Sequence, residues 1–171
     1  MNVDFIRNEI GFLTPGSYEA DVRSFWHNVL REYFPSSEGY IVKDEAPNNY
    51  GRSDITVYEH RRTPGGTLIR HCFLIVQCKR VSFETRDAVW AEAEEQLEEY
   101  LASTHKYTQS VNRTPVYGAV AVGPMIMFYK YNHNSTQIRA WRPAARSPFD
   151  VRGQNDPRLI ESAMVYIEQN H

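Results

Sequence analysis

Hydrophobic positions along the chain change their period several times, and each change marks a new element. Between residues 17 and 34, Tyr18, Val22, Phe25, Trp26, Val29, Leu30 and Tyr33 recur at steps of three and four, which puts them on one face of a helix. Ser17 is the expected N-cap, and Pro35 stops the helix. GYIVKDEAP (39–47) reads as a short strand, NNYG (48–51) as a turn, and SDITVYEH (53–60) as a second strand. In the second strand, period-two alternation sends Ile55 and Val57 one way and Asp54 and Thr56 the other.

TPGG (63–66) is a turn, and TLIRHCFLIVQCKR (67–80) is the longest strand, apolar enough at its centre to be buried on both faces. A helix follows over about 87–103, where Trp90, Ala93, Leu97 and Leu101 make a stripe opposite Glu92, Glu95, Glu98 and Glu99. VYGAVAVGPMIMFYKYN (116–132) gives a further apolar strand, bent or broken at Gly123-Pro124. A polar turn, an arginine-containing segment and a terminal helix over about 157–168 complete the chain. The order helix, three strands, helix, strand, helix predicts an α/β (or α+β) fold: a central mixed β-sheet flanked by helices.

The chain has 171 residues, 42% of them hydrophobic, which suffices for one core and leaves no room for two; it is read as a single domain over 1–171. A formal net charge of -2 removes any global attraction to nucleic acid, so phosphate contact has to come from a local patch. The extended basic segment holds Arg139, Arg142, Arg146, Arg152 and Arg158 around Trp141. It reads equally as phosphate contact with aromatic support or as a solvated flank. The two cysteines, Cys72 and Cys78, share one strand and lie too far apart to bridge, so free thiols in a reducing compartment are expected. With neither a leader-like N-terminus nor a run of roughly 18 apolar residues, the expected location is intracellular, cytoplasm or nucleus, with no membrane partner. The six histidines show no zinc-like spacing, and no glycine-rich phosphate loop is present.

Candidate chemistry gathers at HCFLIVQCKR (71–80), a strand that ends in polar side chains rather than in a turn. Residues two apart on a strand point the same way, so Gln77 and Lys79 share a face and Cys78 points to the other. If this strand forms a hairpin with the preceding one, its far end lies beside Ser53 and Asp54, and Asp54, Gln77 and Lys79 converge. An aspartate, a second oxygen ligand and a lysine suit phosphodiester hydrolysis. Mg²⁺ needs only one or two protein carboxylates when substrate phosphate fills its remaining positions. The lysine can orient the attacking water or stabilise the growing charge.

The segments GRSDITV (51–57) and IVQCKR (75–80) resemble the two motif elements of the PD-(D/E)XK, or restriction-endonuclease-like, nuclease superfamily, with Gln77 in the acidic position as in its Mrr-type members. The resemblance covers about 17–132, leaving 133–171 as an arginine-containing extension and helix. It implies that Asp54, Gln77 and Glu19, the last on the first core helix, would bind Mg²⁺ or Mn²⁺, and that Lys79 would assist the water. QLEEY (96–100) is similar to the Q-x-x-x-Y helix motif of RecB-like members, which implies that Gln96 and Tyr100, with Arg80, position substrate. The implied function is a divalent-metal-dependent nuclease on DNA or RNA, structure-selective or non-specific, with DNA ahead of RNA as partner and a homodimer compatible with it. Arg139, Arg142 and Arg146 are further candidate nucleic-acid contacts. The alternative is a catalytically inactive module of the same fold that binds nucleic acid or a protein partner.

Overall fold

The computed structural model describes residues 3–48, 51–63, 65–108, 115–132, 139–141 and 148–171. Helices α1 (Val3–Ile10) and α2 (Glu19–Tyr33) lead into strands β1 (Tyr40–Asn48), β2 (Gly51–Arg62) and β3 (Leu68–Lys79). Helix α3 (Asp87–Thr108) then precedes β4 (Val116–Val122), β5 (Met125–Tyr131), the two-residue strands β6 (Arg139–Ala140) and β7 (Phe149–Asp150), and α4 (Asp156–Asn170). The seven strands form one sheet in the order β1-β2-β3-β4-β5-β6, with β7 paired to β5. β1 to β3 form an antiparallel meander, while β4 runs parallel to β3. α3 makes the crossover that a parallel pair requires. This is the mixed sheet that the element order predicts.

The two faces of the sheet carry separate cores. α1, α2 and α4 cover one, where Val22, Phe25, Trp26 and Leu30 meet Ile55, Leu74, Val76 and Cys78. α3 covers the other, where Ala93, Leu97 and Leu101 meet Ile75, Val120 and Val122. Burial on both sides explains the almost unbroken apolar reading of β3 and β4. α3 lies so close to β4 that a Cβ on Gly118 would stand 2.7 Å from Leu101 Cδ1.

Three local features depart from the sequence reading, and one expected break is found. Ser17 does not cap α2: its Oγ accepts the Thr14 N–H at 2.9 Å, and Tyr18 is the N-cap, its N–H bonded to the Asp21 carboxylate at 2.7 Å. Tyr18 also leaves the apolar stripe and stands 62% exposed. The break expected at Gly123-Pro124 is a full turn: Val116–Val122 and Met125–Tyr131 form two antiparallel strands. Gly123 turns the chain with φ 56°, at the first position of a two-residue loop, where hairpin turns of the II′ kind take glycine. Finally, β3 is bulged: Val57 pairs with Leu74 but Tyr58 with Cys72, leaving Phe73 without a partner. Phe73 therefore joins Leu74 on the α2 face, while Cys72 turns to α3. Beyond the bulge the alternation is regular and places Gln77 and Lys79 on the α3 side.

Candidate functional site

Asp54 and Cys78 fix the geometry of this end of the sheet. Ile55 pairs with Val76, so the next step of the ladder brings Asp54 level with Gln77. There the side chain replaces the backbone ladder: Asp54 Oδ2 accepts the Cys78 N–H at 2.8 Å. Burial, at 14% side-chain exposure, pushes the Asp54 carboxyl up to about 6; the Glu19 charge adds to the rise, while the Cys78 hydrogen bond, Arg23 and Lys79 oppose it. Glu19 thus lies within electrostatic reach of Asp54.

Arg23, one turn further along α2, lies 3.8 Å from Asp54 Oδ1 and 2.9 Å from Glu45. Glu45 sits between the pairs Asp44–Ile55 and Ala46–Ser53, across β1 from Asp54, with φ 48°. That left-handed conformation costs roughly 1–3 kcal/mol in a residue with a side chain. Neither Arg23 nor Glu45 is singled out by the sequence: each comes to Asp54 through a pairing between distant elements, and neither belongs to a local motif.

Lys79 is held from α3. Its Nζ donates to Gln96 Oε1 at 3.1 Å and lies 3.8 Å from Glu92, to which Gln96 Nε2 also donates at 3.3 Å. Gln96 therefore orients the lysine, and Glu92, read from the sequence as a solvated face, is part of the lysine's surroundings at 61% exposure. Tyr100 lies within the field of Asp54: burial first, then the Asp54 and Glu99 charges, push its phenol upward. Gln77 is 4% exposed, and its Nε2 has no hydrogen-bond partner among the described residues. The structure thus brings together Glu19, Asp54, Gln77, Lys79, Gln96 and Tyr100. Arg80 is exposed at the end of β3, its guanidinium over the Tyr18 ring at 4.7 Å from the centroid.

The arginine-containing segment lies elsewhere. Arg139 is level with Lys130 and Tyr117 at the start of β4, whereas Lys79 is level with Val122 at its end. Arg142 and Arg146 fall outside the described residues. Arg152 is bound at 2.8 Å to both Glu84 and Asp150. Trp141 packs on Tyr117 and Tyr166, with centroids 5.6 and 4.7 Å away, so it is part of the contact with α4 rather than a free stacking surface. Both cysteines are free and buried, and burial pushes both thiols well above their usual range, so neither is a nucleophile.

Neither a family model nor a curated protein matches the sequence. Among solved structures, that of the type IIG restriction endonuclease BpuSI superposes with a TM-score of 0.55 at 15% identity, over 91% of this chain and 17% of that one. The fold is restriction-endonuclease-like. At this identity the likeness carries architecture alone, and function has to be argued from the side chains. Among the described residues, no group of three or more His, Cys, Asp and Glu side chains is placed to hold a metal ion, and no helix is long and apolar enough to cross a membrane. A sparser set remains: the carboxylates of Asp54 and Glu19 with the amide of Gln77. The partnerless Gln77 atom is a donor, which suits an anion; turning the amide over would present its oxygen to a cation instead.

Proposed function

We propose that the Asp54–Lys79 end of the sheet binds the phosphodiester backbone of nucleic acid, DNA ahead of RNA, and that it does so without a divalent ion. The observation that carries this reading is the unmatched, buried Gln77 amide donor on the same face as Lys79. A buried donor without an acceptor costs about 1–3 kcal/mol, and the Gln77 amide, turned outward beside Lys79, would share a phosphate oxygen with that lysine and satisfy the donor. Arg23, beside Asp54, is already paired with Glu45, so Lys79 and the Gln77 amide would make the contact with phosphate. Titration of a fluorescein-labelled 16-base-pair duplex, followed by anisotropy in EDTA, tests the reading. Binding in EDTA that added Mg²⁺ does not strengthen supports it; a complete requirement for the metal refutes it.

One observation favours a second reading, metal-dependent hydrolysis: Glu19 adds its charge to that of Asp54, so two carboxylates lie within electrostatic reach of each other beside an oriented lysine. Asp54, Glu19 and a turned-over Gln77 would be the residues to hold Mg²⁺ or Mn²⁺, which when bound supplies Lewis acidity and a water of lowered pKa. Lys79, fixed by Gln96, would then steady the water or the developing charge. Cleavage of a plasmid or a labelled oligomer under Mg²⁺ or Mn²⁺, abolished in Asp54→Ala and Lys79→Ala proteins that remain folded, would establish this reading over the first.

A further inference from the structure

We infer that Tyr18 and Arg80 form a stacking platform for a base of a single-stranded nucleic acid, at the lip of the site just described. The inference rests on the nucleic-acid reading and adds to it the kind of strand the site accepts. Tyr18 immediately precedes Glu19, and Arg80 immediately follows Lys79, so the pair is tied by single peptide steps, about 3.8 Å each, to two side chains of the site. The two residues come from different elements, α2 and the end of β3, and close over one another with the guanidinium carbon 4.7 Å from the ring centroid.

A lone exposed aromatic carries no information. This one differs in two ways. The residue is 62% exposed although one face of its ring lies under Arg80, which leaves the opposite face for a ligand. Arg80, moreover, has no carboxylate within ion-pair distance among the described residues, in contrast to Arg23 and Arg152, so its charge remains available to phosphate. An open aromatic face backed by an uncompensated guanidinium is the arrangement that binds single strands without regard to sequence: the ring takes a base and the cation takes the adjoining phosphate. In a duplex the base faces are occupied by stacking, so a duplex gains only the phosphate half of the contact.

The test uses the full chain in EDTA with a fluorescein-labelled dT10, the same oligomer as rU10, and a duplex of equal length, read by anisotropy. Tyr18→Ala should weaken binding of both single strands roughly five- to hundred-fold, the range for loss of one stacked base, while Tyr18→Phe keeps it. Duplex affinity should be unchanged by either substitution. Arg80→Ala should weaken all three ligands and lower their salt dependence. Equal binding of dT10 by the wild type and Tyr18→Ala overturns the platform and leaves the nucleic-acid reading standing. A wild type that binds none of the three ligands overturns both.

Discussion

Replacing Asp54 by asparagine should make the protein more stable at neutral pH, although it alters the centre of the candidate site. The carboxyl titrates at about 6 in the fold against an ordinary value of 3.8, chiefly because it is buried. A folded value above the unfolded one means that the stabilising contribution is complete below pH 3.8 and is lost as pH rises through about 6. At 1.36 kcal/mol per pH unit, holding the carboxylate charged at pH 7.5 costs about 3 kcal/mol. Asparagine removes the charge and keeps an oxygen for the Cys78 N–H, so Asp54→Asn should gain up to that amount at pH 7.5. For a chain of this size the gain corresponds to roughly 6–12 °C in Tm. Urea unfolding of both proteins at pH 3.5, 5.5 and 7.5 measures it. The difference should be near zero at pH 3.5 and widen with pH. A variant that is less stable than the wild type at pH 7.5, or a difference independent of pH, would refute the assignment of Asp54 as a desolvated carboxylate.

The same titration predicts the pH dependence of binding: in EDTA, DNA affinity should rise as pH falls from 8 to 5, because a neutral Asp54 no longer repels phosphate, and Asp54→Asn should lose this dependence. A metal-dependent enzyme predicts the opposite sign, since protonation of Asp54 removes a ligand. Gln96→Ala frees Lys79 without removing its charge, so affinity should fall severalfold with the salt dependence unchanged, as titrations at several salt concentrations would show. Trp26 Nε1 donates to the Gly123 carbonyl at 2.9 Å in the buried core, so Trp26→Phe should cost about 1–3 kcal/mol in urea unfolding by leaving that carbonyl unmatched.

The convergence of Asp54 with Lys79 is legible in the sequence because it depends on two local regularities, the period of a strand and the antiparallel fold-back of neighbouring strands. Glu19 and Gln96 are reached only through the family resemblance, which points to a glutamate on the first core helix and to Q-x-x-x-Y on the helix after the lysine strand; helical spacing alone does not single them out. The bulge at Phe73 is not legible: CFLIV is apolar throughout, so a slip of one residue leaves no break in the pattern. The break at Gly123-Pro124 is legible from those two residue types, and the positive φ of Gly123 makes it a turn. Arg23 and Glu45 elude the sequence because their meeting with Asp54 spans α2, β1 and β2. Tyr18 has the helical spacing of a core residue yet lies at the N-cap, where the chain has not entered the helix and the side chain need not follow its face. Helix α1, which no periodicity in the sequence marks, buries Ile6 against the same core as α2.

If Lys79 meets a phosphate as a bound cation, the contact shows in the salt dependence of DNA binding. Affinity of the wild type and of Lys79→Ala for one duplex would be measured in EDTA across a range of NaCl concentrations. A neutralised phosphate releases about one counterion, so the slope of log affinity against log salt should be shallower by about 0.9 in the variant, with weaker binding throughout. Identical slopes and affinities for the two proteins would contradict the account.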